Sequence, residues 1–460
     1  MSMNQRFGQY RSILSQSPQH ERAIKECIRQ QSGLDDYDKI FLHVCAPAAV
    51  EFVRWVLEQA EHDKKKRLYF LSRDGWLFYQ LAEKFVEKYN YPIELRYLHV
   101  SRYSMRSAGY HLMGEDCLDK ICVGMMDATF EKLMKQASLT DAEAYEIAQL
   151  AGYEQRYRQK LSYRTILQLK ETLRGIPEFL VYVSAHAKAC YDTAVSYLKQ
   201  EGLFDAVSYA VVDSGWMGTL KQSMELLTGR PVTGYYFGLY EYPKGADISD
   251  YKAFYFQPDS YLKRKVYFSN CLFEAIFSSP EQMVVRYEPE RSPDGGKSYL
   301  PVGCGNSNPN TEKMKRNLLL LGQYADAYLK TVQTDDGSGG QAGMIYQLFH
   351  LFMGRPEPRE AEVFGALRFC DDMLESKLIP LAEAFLAEEI TERSFINRML
   401  IKMNIRKKAF PESAWPEGSV VLYGKRISCH LFQEYLYKYV MYMRKAAGKG
   451  KKHERNDKYH

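Results

Sequence analysis

Short apolar runs alternate along the chain with longer stretches in which apolar residues recur every three or four positions. Residues 47–63, "PAAVEFVRWVLEQAEHD", carry a helical stripe opened by Pro47, a residue tolerated in a first helical turn. A charged "KKKR" then leads into "LYFLS" at 68–72, whose length and composition predict a strand. A helix over 76–88 and a strand over 93–101, "IELRYLHVS", follow. Strand, amphipathic helix and strand in that order form a parallel βαβ unit. From about 115 to 203 the pattern is helical throughout, with runs at 127–137, 140–151, 162–174 and 177–201. This stretch is expected to be a helical insertion, or cap, between two strands of one sheet. The sheet resumes with "VSYAVVD" at 207–213, a helix at 217–228, and strands at 232–242 and 251–257. The fold class implied is α/β: a doubly wound, mostly parallel, Rossmann-like sheet with the cap near the carboxyl ends of its strands.

The pattern also divides the chain. Residues 1–35 read as a polar helical segment, with Ser17-Pro18 as a helix start, and 36–290 as the α/β core. Residues 289–310 concentrate Pro, Gly, Ser and Asn, so 291–310 are expected to be a linker loop. Residues 311–446 read as an all-helical C-terminal region, with helices at 311–331, 341–353, 359–374, 377–405 and 427–446. "TDDGSGGQAG" at 334–343 is a flexible joint between the first two. No repeat of 20–50 residues is evident, which argues against a solenoid.

Composition is that of a globular protein, at 46% hydrophobic and 26% charged over 460 residues. Its 36 tyrosines suit either carbohydrate and partner contacts or a core in which Tyr replaces Phe. Residues 444–460, "RKAAGKGKKHERNDKYH", hold seven Lys/Arg against two Asp/Glu, which accounts for the whole formal charge of +5. Residues 447–460 are expected to be a disordered basic tail, and nucleic-acid binding, resting on that tail alone, is not favoured. Nine cysteines, an odd number without C-x-x-C spacing, predict reduced thiols and no zinc knuckle. The N-terminus lacks the apolar segment of a signal peptide, and no run of 18 apolar residues predicts a spanning helix, so a cytoplasmic location is expected.

Candidate chemistry lies in a turn used twice. "YFLSRDGWLFYQL" at 69–81 and "YAVVDSGWMGTLK" at 209–221 each end an apolar strand at an Asp, followed by Gly-Trp and a helix. Ligands of open α/β sheets bind at such strand ends. Gly75 and Gly215 permit close backbone approach or positive φ, and N–H groups at the helix starts attract an anion. Asp74 and Asp213 are therefore expected to hold Mg²⁺ against a phosphorylated ligand, since Mg²⁺ is usually bound by one or two carboxylates plus phosphate. The plainer alternative is that each Asp caps its own helix and that Trp76 and Trp216 wedge against the sheet. Arg73, Arg102 and Arg106 lie where they could bind phosphate, or pair with an Asp inside the fold. His99, within a strand, and His186, in a helix with Cys190 four residues on, are expected to be structural.

Together "RLYFLSRDGWLFYQLAEKF", "AVVDSGWMGTLKQS" and "CLFEAIFSSPEQMVVRYE" resemble bacterial proteins identified as predicted hydrolases of the HAD superfamily, found among genes for capsular and other surface polysaccharides. The resemblance covers roughly residues 38–290, with weaker echoes at "EVFGALRFCDD" and "SAWPEGS". It implies a HAD-like core, in the form of the module that follows the HAD domain in that family. A HAD phosphatase carries D-x-D after its strand, the first Asp as nucleophile and the second as general acid/base. Here the phrase is "SRDG": Ser72 occupies the nucleophile position, and Ser cannot form an aspartyl-phosphate. "DYD" at Asp36–Asp38 has the spacing, but no strand precedes it. "YAVVDSGWMGTL" also looks like the ribose-phosphate loop of phosphoribosyltransferases, with only one of its two acidic residues, and would place Thr219 and the N–H groups of 215–219 around a phosphate.

Two functions are carried forward. One is an enzyme, a hydrolase or transferase, acting on a phosphorylated sugar or nucleotide-sugar in surface-glycan synthesis. Its expected residues are Asp74 and Asp213 on Mg²⁺, Ser72, Arg73, Gly75, Trp76, Arg102, Gly215, Trp216 and Thr219 around the ligand, and Glu274 as base or further ligand. The other is a non-catalytic accessory protein that binds a glycosyltransferase or a glycan intermediate.

Overall fold

A computed structural model describes residues 2–124, 128–291, 296–305, 308–331, 341–370, 378–403, 405–406 and 411–456. Its centre is a five-stranded, wholly parallel sheet of β1 (Arg67–Leu71), β2 (Glu94–Leu98), β3 (Tyr209–Trp216), β4 (Thr233–Leu239) and β5 (Tyr251–Phe256). The spatial order is β2-β1-β3-β4-β5, so the direction of winding reverses between β1 and β3. Helices cover both faces, which is why all five residues of β1 are buried. Leu68, Phe70, Ala210 and Val212 point into one core, with the helices Ala46–His62, Trp76–Tyr89 and Thr311–Leu329. Tyr69, Leu71, Tyr209 and Val211 point into the other, with Arg102–Met113, the end of Pro177–Gln200, and Thr219–Thr228.

The first face is built on aromatic contacts. The ring of Phe237, on β4, lies between 4.4 and 6.1 Å from those of Phe52, Phe254, Tyr255, Phe268, Phe273 and Phe349. Tyrosine does serve as core here: Tyr10, Tyr69, Tyr235, Tyr255 and Tyr324 are all fully buried.

The helical cap has a core of its own, made by Leu118, Phe130, Leu133, Ile147, Leu169 and Phe179 among others. Helix Pro177–Gln200 joins it to the sheet, with Phe179 and Val183 in the cap core and Ala194 and Leu198 in the sheet core.

Several boundaries differ from the expectation. Helix 47–63 is part of a longer helical run, Asp36–His62, and Pro47 lies inside it. The run widens to a π-turn at Phe41–Cys45, where the Ala46 N–H reaches back to the Phe41 carbonyl. That extra residue per turn accommodates a ring that lacks an N–H and crowds the preceding turn. Among the described residues this is also the one helix long and apolar enough to cross a membrane, yet 94% of its most apolar window is buried inside the protein. The apolar run is thus a core helix.

The expected linker is instead an antiparallel hairpin, β6 (Val284–Arg291) with β7 (Lys297–Gly303). It docks on helix Pro177–Gln200, where Tyr287 stacks on Tyr197 at 4.3 Å and the Gln200 side chain accepts from the Tyr299 N–H at 2.7 Å. The helix expected over 359–374 stops at Gly365, and the chain then forms a short strand, β8 (Arg368–Phe369). β8 pairs with β9 (Ile379–Pro380), so the single helix expected over 377–405 is replaced by β9 and the helices Ala387–Glu392 and Phe395–Lys402. Pro380 cannot donate within a helix, which accounts for the extended start. Most of the expected joint at 334–343 lies outside the described residues. The last helix runs Ile427–Asn456, so helical backbone continues into the segment expected to be a disordered tail.

The N-terminal segment is not peripheral. Pro18 opens its second helix as expected, and the first helix places Arg6 against buried Glu360, with Nη2 to Oε2 at 3.1 Å, while Tyr10 donates to the same carboxylate. Removing one partner of a buried ion pair leaves a charge without compensation. Glu360→Ala should therefore cost about 3–5 kcal/mol, read from urea unfolding followed by circular dichroism.

Candidate functional site

The reversal point between β1 and β3 opens into a cavity of about 540 Å³. Ser72, Arg73, Asp74, Arg102, Asp213, Gly215, Trp216, Thr219 and Glu274 line it, whereas Gly75 and Trp76 do not. Gly75 acts beneath the site. A Cβ there would lie 2.6 Å from the Leu71 carbonyl oxygen, so the chain can fold back on β1 only through glycine. Trp76 opens helix Trp76–Tyr89 and packs, half-buried, against the first core. Gly215 is needed for a second reason, its φ of +102°. Trp216 also has positive φ, at +60°, which is unusual for a large side chain.

The two aspartates meet through a residue that drew no attention in the sequence. The Ser214 hydroxyl donates to Asp74 Oδ2, and the Ser214 N–H donates to Asp213 Oδ1 at 2.9 Å. Ser214 itself is buried, and it ties the loop after β1 to β3, which runs on past its expected end at Asp213 to Trp216, in one acidic cluster. Burial pushes the Asp213 carboxyl up to about 7, and the neighbouring Asp74 charge adds to the shift. Arg102 and the N–H groups of Ser214 and Gly215 pull in the opposite direction. The acidic pair can consequently carry a proton on Asp213 near neutral pH or, with that proton released, take up a cation.

Other expected residues have defined tasks. The Ser72 hydroxyl donates to the Val100 carbonyl at 2.7 Å and accepts from the Val100 N–H at 3.0 Å, clamping the ends of β1 and β2 together. The Thr219 hydroxyl accepts from Arg106 Nη2 at 2.6 Å. Burial, reinforced by Arg102, lowers the Arg106 guanidinium to about 10. Glu274, on helix Asn270–Phe277, accepts from the Trp216 indole N–H, which fixes that ring at the cavity wall. Of the backbone donors expected to cradle phosphate at 215–219, the N–H of Gly215 reaches Asp213, and those of Met217 and Gly218 reach the Gly215 carbonyl.

Three further features of the sequence, none of them expected in the site, lie away from the cavity. Asp36 and Asp38 lie in a helix, with Asp38 paired to Arg316 at 2.7 Å. His99 follows β2, half-exposed, 3.6 Å from Glu281, and His186 is bound to Glu143 at 2.7 Å in the cap. Neither histidine lines the cavity.

Among the described residues no group of three or more His, Cys, Asp or Glu side chains is arranged to hold a metal ion. Two carboxylates are nevertheless the share a protein usually gives Mg²⁺ when a phosphate completes the shell. Burial raises Asp213 most, and the repulsion from Asp74 that adds to it is of the kind a divalent cation relieves, so the donor set fits that ion.

The far wall was not anticipated. Among the described residues none of the cap lines the cavity; Asn308 and Asn310, after the hairpin, and Met314, Arg368, Phe369 and Leu378 of the C-terminal region do. No protein-family model matches the chain, and no curated protein matches it significantly.

The Asp213 shift has a direct consequence. Between about pH 4 and pH 7 the folded chain retains a proton that the unfolded chain has released. This group therefore favours folding at the acid end of that window, and the advantage is lost as pH rises through about 7. In Asp74→Asn, the Asp213 carboxyl should titrate at a lower pH, measured by ¹³C NMR of the labelled side chain.

Proposed function

We propose that the cavity binds a phosphorylated sugar or nucleotide-sugar, with Mg²⁺ held between Asp74 and Asp213, and that the protein is a HAD-like cytoplasmic component of surface-polysaccharide synthesis. The observation that carries this reading is the bridged carboxylate pair at the point where the sheet reverses. Arg73 and Arg102 supply positive charge at the same end of the cavity. Mg²⁺, when bound, would neutralise phosphate charge and orient the phosphoryl group. Asp213 would give up its proton as Mg²⁺ binds and serve as a ligand, while Trp216, held by Glu274, walls the ligand from solvent. Hydrolysis or group transfer is the reaction class this arrangement suits.

A second reading, a non-catalytic accessory that binds a glycan intermediate or a glycosyltransferase, is favoured by one observation. The Ser72 hydroxyl, at the position where a nucleophilic Asp would stand, is spent on the Val100 backbone. The same commitment of donors weakens a phosphoribosyltransferase-like reading, because much of the 215–219 backbone serves the turn itself.

Asp74→Asn and Asp213→Asn should each abolish Mg²⁺-dependent stabilisation by sugar phosphates in thermal-shift assays. In the parent chain that stabilisation should strengthen as pH rises through about 7, because Mg²⁺ competes with the Asp213 proton. Unchanged ligand affinity in both variants would refute the site. Phosphate release that depends on Mg²⁺ and is lost in Asp74→Asn would refute the accessory reading.

A further inference from the structure

Arg368 reaches the cavity from the C-terminal region, far along the chain from either aspartate turn. Its strand is held by the buried side chain of Asn310, which donates from Nδ2 to the Arg368 carbonyl at 2.7 Å and accepts the Arg368 N–H on Oδ1 at 2.9 Å. Both halves of the amide are spent on this one backbone unit. Asn310 is in turn fixed by its own N–H, which donates to Asn308 Oδ1 at 2.9 Å. Thr311 braces the same turn, donating from its hydroxyl to the Asn308 carbonyl at 2.6 Å. β8 also packs on helix Asn270–Phe277, which carries Glu274. The backbone beneath Arg368 is therefore rigid, although its side chain is exposed.

The charge around it differs from that at the aspartate end. Arg102 acts on Asp213 and is partly offset by it. Arg368 makes no ion pair among the described residues, and the wall it shares includes apolar Met314, Phe369 and Leu378 beside Asn308, Asn310 and Cys370. A guanidinium set in such a wall on a braced strand is suited to an anion supplied by the ligand. The cavity, at about 540 Å³, also has room for much more than one phosphate group.

We propose that Arg368 binds a second anionic group, so that the site takes a diphosphate rather than a monophosphate, with Asn310 as its positioning residue. This rests on the reading of the Asp74–Asp213 end as a phosphate and Mg²⁺ site. A diphosphate would join the two ends of the one cavity, with one phosphoryl group towards Asp74, Asp213 and Arg102 and the other towards Arg368. Among phosphorylated sugars, this selects the nucleotide-sugar class, and other diphosphate-linked sugars, over simple sugar phosphates.

The test is calorimetry on the full chain with Mg²⁺, using inorganic phosphate and inorganic pyrophosphate as probes. The parent protein should bind pyrophosphate at least ~10-fold more tightly, the scale of one charge-assisted contact. Arg368→Ala should lose that ~10-fold preference while phosphate affinity is unchanged, and Arg368→Lys should retain part of it. Asn310→Ala should also lose the preference at unchanged phosphate affinity and unchanged circular dichroism, which a merely structural role would not produce. Equal affinity for both probes in the parent, or equal weakening of both in Arg368→Ala, overturns the diphosphate assignment and leaves the phosphate site standing. Binding of neither probe overturns both.

Discussion

Two carboxylates brought to adjacent strand ends repel each other, and the pairing of β1 with β3 leaves Asp74 and Asp213 little room to separate. The repulsion is contained by the Ser214 hydroxyl on one side and by backbone N–H groups on the other. The strand order sets that proximity, because the winding reverses between these two strands. Glycine at 75 lets the chain fold back sharply after β1, and glycine at 215, at a φ of +102° inside β3, lets that strand lie close against Gly238 of β4. The site is in this sense a product of topology, and its side chains tune a proximity that the sheet imposes.

The sheet and the aspartate turns were legible because their signals are local. An apolar run closed by Asp predicts a strand end, which falls in place after β1 but three residues early in β3, and two such runs with helices between them predict a parallel neighbour pair. Ser214 was not legible: nothing in "DSGW" distinguishes a bridging serine from a capping one until β1 and β3 are side by side. Nor was the far wall, since Asn310 and Arg368 lie 58 residues apart and meet through a side-chain-to-backbone clasp without periodicity. Two misreadings have the same origin. The Pro and Gly content of 289–310 obscured the extended runs of a hairpin, and the helical spacing of 377–405 outweighed Pro380. Composition and period report on a segment alone, whereas these segments take their shape from a partner.

Ser72 shows how a position can keep its place in a site while changing its task. Its side chain lines the cavity, yet both hydrogen-bonding capacities of the hydroxyl hold the Val100 backbone. That clamp sets the loop from which Ser101 caps helix Arg102–Met113, and so determines where Arg102 starts. A hydroxyl is small enough to do this, and a carboxylate could not donate to the Val100 carbonyl.

The ion pair between the first helix and Glu360 joins residues 354 positions apart. On the ribosome, where a chain grows from its N-terminus at roughly 5–20 residues per second, Arg6 emerges long before the carboxylate that neutralises it. Their buried contact can form only after Glu360 has been made, so the burial of Arg6 waits on the synthesis of everything between them.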